Sequence, residues 1–295
     1  MGSKSDVTPV RTGAMLSQRS DRSIGAIFID AGKLDWEQAE RILHLQRDEG
    51  LHFGDAAIKL GLLTAADVQS ALSLQFDFPN PGDFGSLSSD LVAACTPSTR
   101  QAEAFRAVRT QLMLHWFDGD AARKTLAVVS TERGEGRSFV AANLAVAFSQ
   151  LGQHTLLIDA DMREACHHRL FGIDNRLGLS ALLSGRDRPE AIQRIRGLPK
   201  LAVLPAGALP PNPAELLSRP TFENLLMELT TSFDVILLDT PPVALSVDAQ
   251  IISTRTGAVL LVARRNATRI SSMQMAAANL GDVKATVVGV VLNDF

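Results

Sequence analysis

The fold is decided by residues 126–138, which read Leu-Ala-Val-Val-Ser-Thr-Glu-Arg-Gly-Glu-Gly-Arg-Ser. An apolar, strand-like run enters a glycine-containing loop, and a helical pattern follows from Phe139. Gly134 and Gly136 let backbone N–H groups approach a phosphate closely, and the N-terminus of the next helix adds a partial positive charge. The Ser138 hydroxyl is placed to ligate a Mg²⁺ ion that bridges the terminal phosphates of a nucleotide. Strand, loop and helix in this order predict a phosphate-binding loop.

The loop departs from the usual phosphate-loop pattern at two positions. Thr131 stands where the first glycine is usual, and Arg137 stands where a lysine is usual. Arginine keeps the positive charge and adds a fork able to grip two phosphate oxygens, so we expect Arg137 to take the lysine's role. Taken alone, the segment also fits an ordinary turn between a strand and a helix.

Two further apolar runs end in carboxylates. Asp159 and Asp161 follow the run at 155–158, and Asp239 follows the run at 235–238. In a doubly wound sheet the carboxyl ends of such strands converge on the crevice beside the phosphate loop. A carboxylate there can hold Mg²⁺ or accept a proton from an attacking hydroxyl. One strand-end aspartate more often caps the next helix, but three motifs in this order favour a nucleotide and metal site.

The remaining pattern alternates strands with helices. Further apolar runs lie at 201–204, 258–263 and 286–292, and helical patterns lie at 139–151, 214–230 and 268–280. A helix is also predicted from a capping box of Ser98 and Gln101 to about Trp116. The expected fold is therefore α/β, a P-loop NTPase with a mostly parallel, doubly wound sheet, preceded by a small all-α domain of two repeats.

The all-α domain is predicted from an internal repeat. Five residues recur 29 positions later: Gly25, Gly32, Leu34, Leu45 and Gln46 return as Gly54, Gly61, Leu63, Leu74 and Gln75. Each copy predicts a short helix that ends at a glycine, then a second helix capped by Asp35 or Thr64. The second helices carry apolar stripes, at Ala39, Ile42 and Leu43 or at Val68, Ala71 and Leu72. The predicted domains are a disordered tail at 1–22, a helical tandem-repeat module at 23–78, a linker at 79–98 and the nucleotide-binding domain at 99–295.

Composition narrows the function. The formal net charge of −3 gives no global basic field, so we expect no nucleic-acid partner. No apolar run reaches the roughly 18 residues that span a bilayer, so we expect a cytoplasmic protein without direct membrane insertion. Cys95 and Cys166 lie outside any metal-ligand spacing and are expected to be structural thiols. His167 and His168 are likewise expected to be ordinary surface or helix residues.

Five motifs together resemble the bacterial tyrosine-kinase (BY-kinase) family of exopolysaccharide assembly, over about residues 99–295. They are a modified Walker A at 134–138, an Asp-x-Asp-x-Arg motif at Asp159, Asp161 and Arg163, a Walker B aspartate at Asp239, a Glu-x-x-Arg-x-x-Arg signature at Glu103, Arg106 and Arg109, and a proline-rich segment at 207–217. Within that family the chain resembles the EpsG-type chain-length-determinant kinases. Related partition and cell-division ATPases usually carry a signature lysine where this chain has Glu132, which argues against the interpretation of this chain as a partition ATPase.

The resemblance implies ATP and Mg²⁺ as cofactors and a role for each matched position. Arg137 would contact the terminal phosphates, Asp159 would be the candidate base, and both would act in catalysis with Asp161. The magnesium set would be Ser138, Asp161 and, supporting the ion's ligands, Asp239. The nucleotide contacts would be Arg133, Gly134, Glu135, Gly136, Arg137, Ser138, Phe139 and, on the adenine side, Asn293.

The resemblance also implies partners. In the family the signature at Glu103, Arg106 and Arg109 docks one subunit onto its neighbour in a homo-oligomeric ring; by itself it would be a solvated helix face with weak ion pairs. An inner-membrane polysaccharide co-polymerase, a chain length determinant protein, would hold the kinase peripheral to the membrane. No tyrosine autophosphorylation is expected, since the sequence contains no tyrosine and ends at Phe295 without a tyrosine cluster. A nucleotide-gated assembly ATPase without kinase activity is the alternative.

The repeat at 23–78 resembles the MshE-type N-terminal domain of type II secretion ATPases, in which two such motifs form a cyclic di-GMP site. Each motif there opens with an arginine, whereas this chain has Ser23 and His52. Serine cannot replace the bidentate contacts of a guanidinium. A protein-docking or vestigial module is therefore favoured over a cyclic di-GMP receptor.

Overall fold

A computed structural model describes residues 23–75, 85, 87–186 and 189–294, and the chain divides into two compact units between Asn80 and Pro81. The predicted tail at 1–22 and the first part of the predicted linker lie outside the described residues. Across the described ranges, no helix has both the length and the apolar character needed to cross a membrane.

The first unit consists of two copies of a helix pair. The helices are α1 (Ile24–Asp30), α2 (Trp36–Glu49), α3 (Phe53–Lys59) and α4 (Ala65–Gln75). Corresponding helices of the two pairs begin 29 residues apart, which is the offset of the sequence repeat. A left-handed glycine follows each short helix, Gly32 with φ 66° and Gly61 with φ 69°. The periodic sequence thus encodes a periodic structure.

Both longer helices of this unit begin at the expected caps. Asp35 Oδ1 accepts from the Gln38 N–H at 2.7 Å, and the Gln38 side chain accepts from the Asp35 N–H at 3.0 Å. At the second copy Thr64 Oγ1 accepts from the Asp67 N–H at 3.2 Å. Leu43 and Leu72, which were predicted to belong to the apolar stripes, are each 40% exposed. The buried part of each stripe includes Ile42 or Ala71 and is narrower than predicted.

The second unit contains a seven-stranded sheet. Its strands are β1 (Thr125–Ser130), β2 (Thr155–Asp159), β3 (Gln193–Ile195), β4 (Leu198–Leu204), β5 (Val235–Asp239), β6 (Ala258–Arg264) and β7 (Thr286–Asn293). The strand order is β3-β4-β2-β5-β1-β6-β7, and all neighbours are parallel except β3 and β4. The predicted mostly parallel P-loop architecture is confirmed. The antiparallel edge strand β3 was not predicted, because three residues are too few to show a period.

Helices cover both faces of this sheet. They are α5 (Val92–Cys95), α6 (Arg100–His115), α7 (Arg137–Gln150), α8 (His167–Phe171), α9 (Leu179–Leu183), α10 (Pro213–Ser218), α11 (Pro220–Ser232), α12 (Asp248–Thr256) and α13 (Ile270–Asp282). One apolar cluster joins the sheet to α5, α6 and α7, and a second joins it to α9 through α13. Strands β2 and β5 are buried at every residue, which explains their continuous apolar sequences.

Three predicted boundaries differ from the structure. The helix expected at 214–230 is two helices, because Pro220 forces Arg219 out of the helical region, to ψ 151°. The capping box expected at Ser98 is wrong, since Thr99 is the N-cap and its Oγ1 accepts from the Ala102 N–H at 3.2 Å. Helix α7 begins at Arg137, two residues before the predicted start, because left-handed Gly136 provides the turn.

The end of the predicted linker at 79–98 is part of the second unit. Leu91, Ala93 and Ala94 are buried in its apolar core. Asn143 on α7 is fully buried and fixes this segment, since it accepts from the Ala93 N–H and donates to Asp90 O, both at 2.9 Å. The sequence pattern did not predict this packing, because the buried apolar side chains are short and lie in a polar segment.

Candidate nucleotide and metal site

The phosphate loop lies between β1 and α7 and borders a cavity of about 240 Å³. Gly134 has φ 77° and Gly136 has φ 86°, a region in which a side chain would be strained. No side chain caps the N-terminus of α7, so its backbone N–H groups are available to an anion. Helix α7 continues for fourteen residues from that end. The loop therefore has the backbone geometry that phosphate binding requires.

A buried glutamate holds the first half of the loop in shape. The Glu135 carboxylate accepts from the Thr131 N–H at 2.7 Å, from the Thr131 hydroxyl at 2.8 Å and from the Glu132 N–H at 3.0 Å. It also accepts from the hydroxyl of Thr268, just before α13. Glu135 was predicted as a nucleotide contact. Because these bonds occupy its carboxylate, the backbone of Glu135 is the part that remains for such a contact. Thr131 in the usual glycine position is explained by the two bonds it gives to Glu135.

Arg137 points inward and binds the ends of three strands. Its Nε donates to Asp239 Oδ1 at 2.8 Å, Nη2 donates to Asp161 Oδ2 at 3.0 Å, and Nη1 donates to Ser130 Oγ at 3.1 Å. The side chain is only 9% exposed. Burial disfavours its charge, but Asp239 and Asp161 outweigh this and raise the pKa of Arg137 above its ordinary value. The guanidinium, Asp161, Asp239 and Ser130 are called the arginine clamp below.

Asp239 is the most strongly ionised carboxyl of the site. Burial acts to raise its pKa, but Arg137 and His167 outweigh burial and lower the pKa of Asp239 to about 2. An ionised carboxylate only accepts hydrogen bonds, so His167 Nε2, 2.9 Å from Asp239 Oδ2, carries the proton and donates. His167 is the first residue of α8, as a helix residue was expected to be, but it is fully buried and bonds to the site, so it is neither a surface nor an ordinary helix residue. The sequence offered no spacing signal for this contact, because the loop between β2 and α8 creates it.

Asp159 lies beside Asp239, since the two are paired in register across β2 and β5. Its Oδ2 accepts from the backbone N–H groups of Cys166 at 3.0 Å and His167 at 3.1 Å. Burial and the charge of Asp239 raise the pKa of Asp159 to about 6, against the opposing effect of His167. A carboxyl with that pKa is mainly deprotonated at neutral pH and can still accept a proton.

Cys166 also belongs to this site. The structure places it in the lining of the cavity, near Asp159, rather than in a purely structural position. Burial and the charges of Asp239 and Asp159 raise the pKa of its thiol to about 12. Cys95, by contrast, packs against the core of the second unit as predicted.

The donor set fits Mg²⁺. Hydroxyl and carboxylate oxygens of Ser138, Asp161 and Asp239 are ligands that this ion prefers, and the first two line the cavity. The guanidinium of Arg137 stands between Asp161 and Asp239 as a side-chain cation, which shows that this position accommodates positive charge. The guanidinium must move away before Mg²⁺ can bind the carboxylate oxygens of Asp161 and Asp239.

The other predicted nucleotide contacts surround the loop. Arg133 is exposed and pairs with Glu164 at 2.8 Å across the cavity. Phe139 lines the cavity and packs edge-on against Phe105 of α6, with ring centroids 5.6 Å apart. Asn293 donates from Nδ2 to Glu135 O at 3.2 Å, so its amide supports the loop from the end of β7.

The predicted oligomerisation residues all lie on α6, but they differ in how far their side chains are exposed and bonded. The Glu103 side chain is 69% exposed and binds Arg106 at 2.5 Å. Arg106 also donates to Pro97 O, and Arg109 donates to Ala147 O at 3.0 Å near the end of α7. Glu103 is therefore the member of the three that is most available to a second subunit.

Known proteins resemble the second unit. Residues 121–294 match the family profile described as "ParA: NUBPL iron-transfer P-loop NTPase". The tyrosine-protein kinase YwqD of Bacillus subtilis is 33% identical over 207 residues, which are 70% of this chain and 86% of that protein. The tyrosine-protein kinase wzc of Salmonella typhi is 33% identical over 205 residues, but this match spans only 28% of its length. The kinase domain of Escherichia coli tyrosine kinase ETK superposes with a TM-score of 0.66 and 32% identity, covering 69% of this chain and 79% of that domain.

Proposed function

The chain belongs to the bacterial tyrosine-kinase family of ParA-type P-loop NTPases, and on that premise we propose that it is an ATP- and Mg²⁺-dependent kinase subunit of exopolysaccharide assembly. It is of the EpsG type and controls chain length and export together with a membrane co-polymerase. That partner holds it at the cytoplasmic face of the inner membrane.

The observation that carries this proposal is the convergence of Arg137, Asp161 and Asp239 beside the phosphate loop. They come from three separate elements of the fold, yet their charged atoms lie 2.8–3.0 Å apart. Buried charges of this kind are costly unless they are paired, and they concentrate at functional sites. Arg137 and Asp161 line the adjoining cavity, which supports a ligand site beside them.

Each residue has a distinct task in the proposed reaction. Bound Mg²⁺ supplies neutralisation of the terminal phosphates. Ser138, Asp161 and Asp239 would hold the ion, and Arg137 would contact the phosphate oxygens in place of the carboxylates. Asp159 accepts the proton of the attacking hydroxyl at Oδ1, since Oδ2 is already bound by two backbone N–H groups.

Phosphate release with ATP and Mg²⁺, together with transfer to a tyrosine-containing peptide, tests this function. Asp161→Asn is expected to abolish both activities, and Asp159→Asn is expected to lower turnover far more than ATP affinity, because a base acts mainly in the transition state. Asp174→Asn, a change of an exposed residue outside the site, is the matched control. Equal losses of turnover and ATP affinity in Asp159→Asn would make Asp159 a binding residue instead.

A nucleotide-gated assembly ATPase is the second candidate, and two observations favour it. The 295 residues contain no tyrosine that could accept a phosphoryl group from a neighbouring copy. The arginine clamp also gives the site a distinct arrangement that Mg-ATP would have to replace, which suits a switch. Phosphate release without transfer to any tyrosine peptide, combined with ATP-dependent assembly, would select this candidate.

The two remaining assignments concern contacts with other proteins. The signature on α6 is proposed to dock a neighbouring subunit in a ring, mainly through exposed Glu103. The MshE-type repeat at 23–78 is proposed to be a protein-docking module. Its support is the two-copy architecture, in which Ser23 caps α1 through the Ala26 N–H while the side chain of His52 makes no cap at α3.

A further inference from the structure

Three side chains behind the arginine clamp form a compact group that the proposed reaction does not fully use. A carboxylate oxygen of Asp159, the sulfur of Cys166 and a ring nitrogen of His167 all lie within 4.8 Å of one another. Asp159 and His167 are 0% exposed, and Cys166 is partly buried. The group combines oxygen, sulfur and nitrogen donors in a small volume.

Two atoms of this group are buried without a hydrogen-bond partner. They are Asp159 Oδ1 and His167 Nδ1. Buried polar atoms of native proteins are nearly always hydrogen-bonded, so two unpaired ones in one group require an explanation. The other oxygen of Asp159 and the other nitrogen of His167 are fully engaged. The two residues are thus held in place while each has one atom left for a ligand.

The orientation of His167 matches that of a metal ligand. Metal-binding histidines commonly donate their other ring N–H to a carboxylate, which fixes the tautomer and the ring orientation. Here Nε2 donates to Asp239 at 2.9 Å. This contact leaves Nδ1 as the nitrogen that can present its lone pair to an ion.

The charge around the group also favours a cation. Asp159, Asp161 and Asp239 lie at the ends of β2 and β5, and Arg137 pairs with the last two only. Among the described residues, Asp159 makes no salt bridge to an arginine or lysine, and His167 is the neighbour whose charge opposes that of Asp159. The one guanidinium therefore balances only part of the charge of the three carboxylates.

We infer that Asp159, Cys166 and His167 form a second metal site, distinct from the magnesium site, that takes a borderline-soft divalent ion of the Zn²⁺ class. Its ligands are Asp159 Oδ1, Cys166 Sγ and His167 Nδ1. Thiolate and imidazole select Zn²⁺ over Mg²⁺, which prefers oxygen alone. Three protein ligands leave the fourth tetrahedral position open, as in zinc sites that keep an exchangeable ligand. Binding releases the protons that the thiol and the imidazole otherwise hold to solvent.

The ion can reach the group through the nucleotide cavity, because Cys166 lines that cavity. Zn²⁺ at Asp159 Oδ1 would occupy the oxygen that the proposed reaction uses as its base. The second site would therefore inhibit turnover when it is filled. Metal binding itself does not depend on the proposed function, since it can be measured without nucleotide.

Co²⁺, a spectroscopic substitute for Zn²⁺, tests the site in the full chain. A Co²⁺–thiolate bond gives a charge-transfer band, and the chain has only two cysteines to supply it. The titration is made in excess Mg²⁺ without nucleotide, in a Cys95→Ser background. We expect one equivalent of Co²⁺ to produce the band and one equivalent of Zn²⁺ to remove it. In the wild-type background, Cys166→Ser should abolish the band, whereas His168→Gln should leave it unchanged.

Two results would overturn the inference: absence of the band in the Cys95→Ser protein, or its persistence in Cys166→Ser. Loss of His167 is expected to weaken Co²⁺ binding by at least the 10–100-fold known for changes around metal ligands. If His167→Gln does not fold, the two cysteine variants still decide, because both retain the buried histidine. Zn²⁺ inhibition of phosphate release should be relieved in Cys166→Ser; inhibition that is equal in both proteins would place the ion at the magnesium site.

Discussion

Removal of the Arg137 side chain is expected to destabilise the nucleotide-free protein strongly. Arg137→Ala leaves Asp161 and Asp239 without their cation, and their side chains are 4% and 0% exposed. Removing one partner of a buried ion pair costs about 3–5 kcal/mol. For a unit of this size, each kcal/mol shifts Tm by about 2–4 °C, so Tm should fall by roughly 6–20 °C.

Thermal unfolding in a chelating buffer measures this effect, and the same loop offers a matched control. Arg133 is 59% exposed and pairs with the half-exposed Glu164. A surface pair of that kind contributes about 0–1 kcal/mol, so Arg133→Ala should change Tm by less than about 4 °C. Both variants lose one arginine from the phosphate loop and differ only in what that arginine contacts.

Addition of Mg²⁺ without nucleotide gives the second readout. In Arg137→Ala the two carboxylates are open to the ion, so Mg²⁺ should raise Tm more than it does in the wild type, where the guanidinium competes. If Arg137→Ala melts within the range of Arg133→Ala, the arginine clamp does not hold the strand ends together. If Mg²⁺ stabilises both proteins equally, the ion and the guanidinium do not share Asp161 and Asp239.

Three further predictions follow from the same contacts. The pKa of Asp159 is raised from 3.8 to about 6, so its contribution to stability is fully present below 3.8 and is lost as pH rises through about 6. Thermal unfolding in chelator should show the wild type gaining Tm relative to Asp159→Asn as pH falls from neutral toward 3.8; a constant difference would contradict the raised pKa. Glu103→Ala combined with Arg106→Ala should shift any ATP-dependent oligomer toward monomer in light scattering while Tm stays nearly unchanged, and an unaltered mass distribution would make the signature a solvated helix face. With labelled ATP and Mg²⁺ the protein should carry no phosphotyrosine, and stable label on its serine or threonine that Asp159→Asn abolishes would instead show kinase chemistry with another acceptor.

The placement of the carboxylates followed from the sequence because a parallel sheet imposes it. Runs such as 155–158 and 235–238 are apolar throughout, which predicts strands buried on both faces. The carboxyl ends of parallel strands lie at one edge, so Asp159 and Asp239 were expected to converge beside the phosphate loop, and the structure pairs them in register. The repeat in the first unit was predictable for a related reason, since a fixed offset of 29 carries over to the helix boundaries.

The direction of side chains could not be predicted in the same way. Arg137 was expected to face the phosphates, but three acceptors hold its guanidinium inward. The burial of His167 depends on how residues 160–166 fold back on Asp159, and no periodicity encodes that path. Glu135 is a polar residue in a glycine loop, and only the positions of Thr131 and Thr268 show that its carboxylate is structural.

An arginine in place of the usual lysine changes the contacts that the loop can make. A lysine ammonium is a point charge, whereas the planar guanidinium presents donors in fixed directions and here reaches Ser130, Asp161 and Asp239 at once. These contacts place a positive charge between the carboxylates that follow β2 and end β5. Mg-ATP would compete with the guanidinium for the same oxygens. Burial acts to raise the pKa of both Asp159 and Asp239, but Arg137 bonds to Asp239 and not to Asp159, so together with His167 it lowers the pKa of Asp239 while that of Asp159 stays raised.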